Sequence, residues 1–498
     1  MPDFNLVTDP WIPVRWKSPA RNEPLVSLHR LFAESDSIAD LAVNPAERVS
    51  LMRLLVCISQ AALGAPPHSE AWEGFGDDLT KVVPEYLSRA AIRDRFELFG
   101  DGPRFLQSSK IESQLEPPPV AKLVFQFATG NTATVFDHEG ESSRVYAVAF
   151  LARTLLTFQN FLIGGSFGRF VQGNGPSLKM LHTILIGASL RNTILLNCLD
   201  EETMHPTPLG RPFWEIPEGE LDKSSVTTTY LGRLVPCPAK LWLLNEGSHV
   251  RVGQGLNYPD FATSEFREPS ATVCVSMKEK DRRFLLRANV DKGVWRDLHA
   301  VTICGKHAPS GPLTLTSHRA AFENDDATLW TGEMIKADDA KIVDTVESVF
   351  TIPPRLLDFS GRELYESGVH FASSQEGSLA KAVDAYFRHL DGRKDNTSAK
   401  PSGSAKSGKQ IALARYWSSL DRDASVLLDL IVDPDVMAGR EFGKWADGTL
   451  DSWSKIVRGA LTSAYEATCP RQNPRQFEAY AAGLRILLPK PGKEKKAA

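Results

Sequence analysis

Two adjacent prolines, in the run IPPR at residues 352–355, divide this chain into two parts of different character. Proline lacks a backbone N–H and disfavours helix in the residue before it, so no helix continues through this point. Short β-like runs and helices precede the prolines, and long amphipathic stretches follow them. We therefore predict an α+β protein, with a large mixed α/β domain over residues 1–356 and a C-terminal four-helix bundle over residues 357–498.

The part after the prolines contains four stretches with helical spacing of apolar residues, at roughly 360–391, 410–432, 438–465 and 473–488. The basic, Ser/Gly-rich segment 391–409 joins the first two, and its composition predicts disorder. Its end, GSAKSGKQ at 403–410, nearly matches a nucleotide-binding phosphate loop. However, Gln410 replaces the hydroxyl that such a loop needs for magnesium, and no buried strand precedes it. We therefore expect no nucleotide cofactor there.

In the N-terminal part, residues 44–64 read NPAERVSLMRLLVCISQAALG and predict a helix. Asn44 is placed to cap it, Pro45 suits its first turn, and Glu47 stands where a capping box closes. Gly64 is placed to end it. Apolar residues recur at helical spacing, so we expect one face of this helix to be buried.

The run IGGSFGRFVQGNG, at residues 163–175, contains five glycines and lies between a predicted helix at 148–163 and an apolar stretch at 178–199. Glycine lets a backbone approach a ligand closely, and Arg169 could add a charged contact to phosphate. The glycine spacing does not match a dinucleotide-binding loop, and a helix rather than a strand precedes the run. Two interpretations stay open: a contact with nucleic acid, and a plain turn between two helices.

Two β-like runs further along, ATVCVSM at 271–277 and RRFLLRANV at 282–290, predict a hairpin with a charged tip. The tip and its flank, KEKDRR, hold four basic residues in six. Lys280 and Arg282 are therefore candidates for contacts with phosphate, although such a run is also typical of a solvated turn.

Composition excludes several classes of function. The formal net charge is −4, so a surface for nucleic acid must be a local patch. The six cysteines are scattered without a C-x-x-C pair, and the DHE run at 137–139 is more typical of a polar loop than of a metal site. No apolar run is long enough for a membrane helix, and the N-terminus lacks the pattern of a signal peptide. We expect a cytoplasmic protein without metal, cofactor or membrane anchor.

Several segments resemble, in order, the large subunit (the CasA family) of the type I-E CRISPR surveillance complex, Cascade. They are FNLVTDPWIPVRW (4–16), LLVCISQAALGAP (54–66), FELFGDGPRFLQ (96–107), GNTATVFDHEG (130–140), the glycine-rich run, and SLRNTILLNCL (189–199). The resemblance covers most of the chain and rests on order and co-occurrence, because none of the segments is a catalytic signature.

The resemblance implies recognition without catalysis. In this family the guide RNA pairs with the target, while the large subunit inspects the protospacer-adjacent motif (PAM) on double-stranded DNA from the minor groove and helps to start unwinding and R-loop formation. The implied partners are the other Cascade subunits, including the small-subunit dimer, the 5′ end of the guide RNA, the target DNA, and the CRISPR helicase-nuclease that docks on this subunit.

The resemblance also implies where contacts with nucleic acid lie. The backbone of Gly164, Gly165 and Ser166 matches the family's glycine loop, and Lys278 matches a lysine that reaches into the minor groove. The family's wedge hairpin, which inserts between base pairs, falls on Lys336, Asp338, Asp339, Ala340 and Lys341. DNA phosphates would repel the carboxylates of Asp338 and Asp339, so either the register of the alignment is off or the wedge differs, with Lys336 or Lys341 as the contact. Val135, Phe136 and Asp137 match a loop that touches the 5′ end of the guide and the DNA on the PAM side, with burial of Phe136 in the core as the alternative.

Two other functions stay open at this point. One is a scaffold that joins subunits without reading DNA, and the other is an enzyme whose site the sequence does not reveal. No His-Asp pair, paired carboxylates or Lys-Ser/Thr motif occurs in a supporting context, which disfavours the enzyme.

Overall fold

The structure is a computed structural model that describes residues 3–72, 74–111, 116–125, 144–167, 170–172, 174–217, 220, 224–264, 266–276, 282–289, 292–304, 310–336, 342–392, 402–433 and 452–488. Residue contacts divide the chain into two compact units, 1–288 with 303–351, and 289–302 with 352–498. The first unit mixes helices with small sheets and the second is helical, so the expected fold class is confirmed. The domain boundary at residue 356 stays a prediction.

The helices of both units are numbered here in chain order. They are α1 (Leu28–Ala33), α2 (Pro45–Leu63), α3 (Phe75–Ser88), α4 (Ala90–Arg93), α5 (Val148–Phe161), α6 (Leu190–Leu196), α7 (Glu201–Met204), α8 (Tyr230–Leu234), α9 (Phe261–Ser264), α10 (Leu298–Val301), α11 (Leu313–Ser317), α12 (Phe359–Leu390), α13 (Gly403–Asp423), α14 (Ser425–Ile431), α15 (Ser452–Thr468) and α16 (Pro474–Leu487). Within the described segments, no helix has the length and apolarity needed to span a bilayer.

The strands form small separate sheets rather than one large sheet. They are β1 (Ile12–Trp16), β2 (Leu25–Val26), β3 (Ile38–Leu41), β4 (Gly165–Phe167), β5 (Phe170–Gln172), β6 (His182–Ile186), β7 (Ala239–Leu244), β8 (His249–Gln254), β9 (Val273–Val275), β10 (Arg283–Leu285), β11 (Ala327–Lys336) and β12 (Ile342–Ile352). The sheet orders are β2-β1-β3, β4-β5, β7-β8, β10-β9 and β12-β11-β6.

Helix α2 begins and ends where the sequence predicts. The side chain of Asn44 accepts a hydrogen bond from the backbone N–H of Glu47 at 2.9 Å, and Gly64 ends the helix with a φ of 76°. The Glu47 carboxylate does not close a capping box; it accepts a bond from Arg153 at 3.0 Å. The expectation of a single buried face is wrong, because every side chain from residue 48 to residue 60 is buried.

Polar residues of α2 tolerate this burial because each has a partner. The Gln60 side-chain amide exchanges two hydrogen bonds with the backbone of Leu199, at 2.8 and 2.9 Å. Arg48 makes a bidentate pair with Asp40 at 2.7 and 2.8 Å. A buried polar group without such partners costs free energy, so these contacts let a helix with polar residues on several sides lie at the centre of the core.

Arg53 of α2 belongs to a buried charge triad with Glu268 and Arg233. One Glu268 oxygen lies 2.8 Å from Arg53 Nη1, and the other lies 2.8 Å from Arg233 Nε and 2.7 Å from its Nη2. Burial alone would raise the pKa of the Glu268 carboxyl, but the two guanidinium groups outweigh it and hold that pKa below its ordinary value. The triad joins helix α2 to helix α8 and to Glu268 in the segment that follows α9.

Strand β6 pairs antiparallel with β11, with His182 opposite Gly332. The fully buried His182 ring bonds to the Ser270 hydroxyl through Nδ1 and to the Ser177 carbonyl through Nε2, both at 2.8 Å. The apolar stretch at 178–199 is therefore a strand followed by the short helix α6. This corrects the interpretation of the glycine-rich run as a turn between two helices.

The second unit packs its helices around aromatic residues. Trp295 donates from Nε1 to Asp421 at 2.7 Å, and its ring lies 5.5 Å from that of Trp453. Helix α13 begins at Gly403, with Ser402 as its cap, so residues 403–409 are helical and the expectation of disorder is wrong for them. The same helix contains the phosphate-loop-like run. Residues 393–401 and 434–451 lie outside the described residues.

We expect Glu268→Gln to destabilise the first unit by about 3–5 kcal/mol, because it removes the only charge of the triad that neutralises two buried guanidinium groups. Urea denaturation monitored by tryptophan fluorescence measures this change. The matched control is Glu323→Gln on an exposed side chain, which should change stability by less than about 0.5 kcal/mol. An equal midpoint for both variants would contradict a structural role of the triad.

Stability should fall as the pH drops below about 6.5. Burial lowers the pKa of His182 and of His318 from the ordinary 6.5 to about 4, so both stay neutral in the folded chain. The unfolded chain binds more protons between these values, and at about pH 5 each histidine should cost roughly 2 kcal/mol relative to about pH 7.5. Urea midpoints across this range measure the loss, and His318→Gln should reduce it. A midpoint independent of pH would refute the assignment.

Candidate nucleic-acid interface

The glycine-rich run forms a β-hairpin. Strands β4 and β5 pair antiparallel, with Gly165 opposite Gln172 and Ser166 opposite Val171. At the root of this hairpin, the backbone N–H of Gly164 donates to the side-chain oxygen of Asn174 at 2.9 Å. Gly164, Gly165 and Ser166 thus lie together on one edge of a short ribbon, whereas Arg169 lies outside the described residues.

One glycine of the run has a packing role instead. A Cβ on Gly175 would lie 2.3 Å from the carbonyl oxygen of Asn160, so no other residue fits there. The Gly175 N–H donates to the Leu162 carbonyl at 2.7 Å, and the Ser177 N–H donates to the Asn160 carbonyl at 3.1 Å. These contacts fix the second root of the hairpin against the end of α5.

Strands β9 and β10 form the predicted second hairpin, with Cys274 opposite Phe284 and Val275 opposite Arg283. The Ser276 N–H donates to the Arg282 carbonyl at 2.9 Å, which extends the pairing toward the tip. Lys278 and Lys280 lie in the connection, outside the described residues.

A cleft of about 580 Å³ is bordered by the chain that follows the glycine hairpin, by residues 257–268 and by strand β10. Asn174 and Gly175 line it from the first hairpin, and residues 282–285 line it from the second. The structure therefore brings the root of the glycine hairpin and Arg282 to one cavity, although they are more than a hundred positions apart in the sequence.

Basic and aromatic side chains alternate around this cleft. The Arg233 guanidinium lies 4.0 Å from the Phe266 ring centroid, and the Arg283 guanidinium lies 5.6 Å from that of Phe261. Burial and, to a smaller extent, the positive charge of Arg283 lower the pKa of the neighbouring Arg267 to about 10. Such a lining suits a ligand that carries both negative charge and flat rings.

The position that matches the wedge lies at the end of β11. This strand ends at Lys336 and its neighbour β12 begins at Ile342. Glu333 of β11 accepts hydrogen bonds from the Ala288 N–H at 2.6 Å and from Arg287 at 3.0 Å, and Arg287 lines the cleft. The strand that leads to the wedge position is thereby tied to the segment that leaves β10. Other residues assigned to the wedge lie outside the described residues: Asp338, Asp339, Ala340 and Lys341.

The segment matched to the guide-contacting loop, with Val135, Phe136 and Asp137, also lies outside the described residues. So does the DHE run. Among the residues that the structure does describe, no three His, Cys, Asp or Glu side chains are grouped to bind a metal ion.

Sequence reasoning missed most of the cleft, including Lys179, Phe261 and Arg233. A signal for one part existed, because Arg53 falls between the apolar positions of α2 and so implies a buried acidic partner. The identity of that partner, Glu268, depends on the fold.

Comparisons with known proteins agree on one family. The CRISPR-associated protein CasA/Cse1 of Thermus thermophilus is 28% identical over 497 residues, covering 93% of this chain and 92% of that protein. The crystal structure of Thermobifida fusca Cse1 matches with a TM-score of 0.75 at 18% identity, over 98% of this chain and 97% of that one. A chain of a CRISPR RNA-guided surveillance complex matches with a TM-score of 0.71 at 16% identity, over 98% of this chain and 100% of that one. The family model of CRISPR-associated protein Cse1 matches residues 5–464, and the chain belongs to that family.

Proposed function

We propose that this protein is the large subunit of a type I-E Cascade complex and that it recognises the PAM on double-stranded DNA from the minor groove. The observation that carries the proposal is that the root of the glycine hairpin and strand β10 of the second hairpin border one basic, aromatic cleft, beside which the duplex would be held. The likeness to a chain of an RNA-guided surveillance complex supports the assembly. In this proposal the protein acts by recognition, without catalysis.

The glycine hairpin suits a minor-groove contact because its first strand begins with residues that have little or no side chain. The backbone of Gly164, Gly165 and Ser166 can approach base edges where a larger Cβ substituent would collide. The minor groove distinguishes A·T from G·C but little else, so a backbone ribbon with one lysine, Lys278, should accept several PAMs at graded affinity.

The hairpin tip between β11 and β12 is the proposed wedge. Glu333 and its two partners fix the strand that presents it. Opening a base step costs about a few kcal/mol, while the exchange of a DNA duplex for an RNA–DNA duplex is nearly balanced. A small insertion by residues such as Lys336 or Lys341 can therefore decide whether unwinding and R-loop formation begin.

Other contacts complete the proposed assembly. Arg169, Lys280 and Arg282 are placed in sequence beside the two hairpin tips and would contact phosphate. Val135, Phe136 and Asp137 would contact the 5′ end of the guide. The helical second unit would face the small-subunit dimer, and the surface of this subunit would dock the helicase-nuclease.

The first test is a gel shift of guide-loaded complex assembled with and without this chain, on matched duplexes that differ only in the bases beside the protospacer. We expect tight binding that depends on those bases only when the chain is present. Binding that is the same without the chain would refute the proposal and leave the glycine hairpin as a structural element.

Lys278→Ala should weaken binding to a preferred PAM about tenfold, which is about 1.4 kcal/mol, and should reduce the preference between PAMs. Titration of the assembled complex with fluorescent duplex measures both quantities. The control is Lys81→Ala on α3, an exposed lysine of a helix outside the described cleft lining. A uniform loss on all PAMs, with the salt slope reduced by about one, would instead assign Lys278 to a phosphate.

A further inference from the structure

Phe284 is an exposed aromatic residue in the most basic part of the cleft. Its side chain is 43% exposed and lines the cavity between Arg283 and Leu285. The exposed part of the ring is open to a stacking partner, and rings beside arginines are a usual platform for bases of unpaired nucleic acid. Its place among the arginines of the cleft is what distinguishes this ring from other exposed apolar side chains.

Lys179 lies at the same cleft and is held in an unusual conformation. It is exposed with a φ of 64°, a left-handed value that a lysine rarely adopts, between the buried side chains of Leu178 and Met180. Strain of this kind persists where surrounding packing enforces it, and it is concentrated at binding sites. Packing of its two neighbours thus fixes a cation at the mouth of the cleft.

We propose that the cleft binds one unpaired nucleotide of the target DNA, with its base stacked on Phe284 and its phosphate near Lys179 and Arg283. The proposal rests on the proposed function, because it takes the nucleotide from the duplex that the two hairpins engage. It adds a binding site for a nucleotide that becomes unpaired when the duplex opens. This site is distinct from the contacts that recognise the PAM.

The size and floor of the cleft favour this occupant. A volume of about 580 Å³ falls in the range of roughly 300–1,000 Å³ that is typical of sites for small organic ligands, and it suits a single nucleotide rather than a stretch of duplex. Tyr258, Phe261 and Phe266 provide flat apolar surface. Among the described residues that line the cleft, five are basic and two are acidic: Lys179, Arg233, Arg282, Arg283 and Arg287 against Asp260 and Glu268.

Capture of a nucleotide would favour opening. A base that leaves the stack loses contact with its neighbours, and a ring in the cleft restores part of that contact. The reverse step, closure of the duplex, then requires the base to leave Phe284. The cleft would therefore slow re-annealing beside the PAM without reading sequence, since every base has a flat face that can stack.

The test combines a protein variant with a missing base. Complex assembled with Phe284→Ala is titrated with PAM-containing duplexes that are intact or carry one abasic site, scanned through the first positions beside the PAM on each strand. We expect the variant to bind intact DNA about tenfold more weakly, and to lose less than about twofold at the one position whose base occupies the cleft.

Two further variants separate stacking from folding. Phe284→Tyr keeps a ring and should bind as the unchanged complex does, whereas Phe284→Leu keeps most of the volume and should behave as Phe284→Ala. Val275→Ala is the matched control, because Val275 is 57% exposed on the same hairpin outside the described lining of the cleft. It should leave binding unchanged.

The proposal is overturned if Phe284→Ala weakens binding equally on intact DNA and at every abasic position, or if it has no effect on any duplex. Failure of the proposed function has a different signature, because omission of the whole chain would then leave PAM-dependent binding intact. The nucleotide site alone is refuted by two results together. PAM-dependent binding requires the chain, and the losses of affinity caused by Phe284→Ala and by each abasic site are fully additive.

Discussion

The carboxylate of Glu268 is the contact on which the rest of the first unit depends. It holds Arg53 of the central helix and Arg233 of α8, and Arg233 in turn donates to the Pro259 carbonyl at 3.1 Å. Without this carboxylate, two guanidinium groups would lie buried with no opposite charge beside them, which is strongly unfavourable. Three residues that line the cleft, Arg233, Pro259 and Glu268, are thereby connected to the core helix α2. The proposed contact with DNA would benefit from such a support.

In the proposed function two kinds of recognition would meet at this cleft, and they require different residues. Backbone ribbons with small side chains can lie along a minor groove but discriminate bases weakly. Aromatic rings stack on any base with about 1–3 kcal/mol, which is comparable to the cost of unstacking a step. The proposed minor-groove contact would accept several PAMs, and the proposed stacking ring would accept any base. Together they would favour opening of the duplex once a PAM is bound, because neither contact depends on the bases beyond the PAM.

Sequence reasoning succeeded where the determinants are local. The ends of α2 follow from Asn44 and Gly64, and the β9–β10 hairpin follows from alternation around a charged tip. It failed where distant contacts decide. A short apolar run such as residues 182–186 is equally compatible with strand and helix until its partner β11 is known. Residues 403–409 look disordered by composition, yet Gly408 packs where a Cβ would lie 2.3 Å from the Phe387 ring. The described lining of the cleft comes from four separate parts of the chain, and the sequence pointed only to the end of the glycine-rich run and to Arg282 in the basic run.

The way the chain passes between its two units affects how the protein can be divided. Residues 289–302 leave the first unit, join the second and return, and they bring Trp295 into the aromatic centre of the helices. The Trp295 carbonyl also accepts a hydrogen bond from the Tyr365 hydroxyl at 2.7 Å. A fragment cut at the paired prolines would lack a tryptophan of its own interior. The two parts on either side of the prolines therefore cannot be exchanged independently between relatives. A chimaera would have to transfer residues 289–302 together with the helices of the second unit.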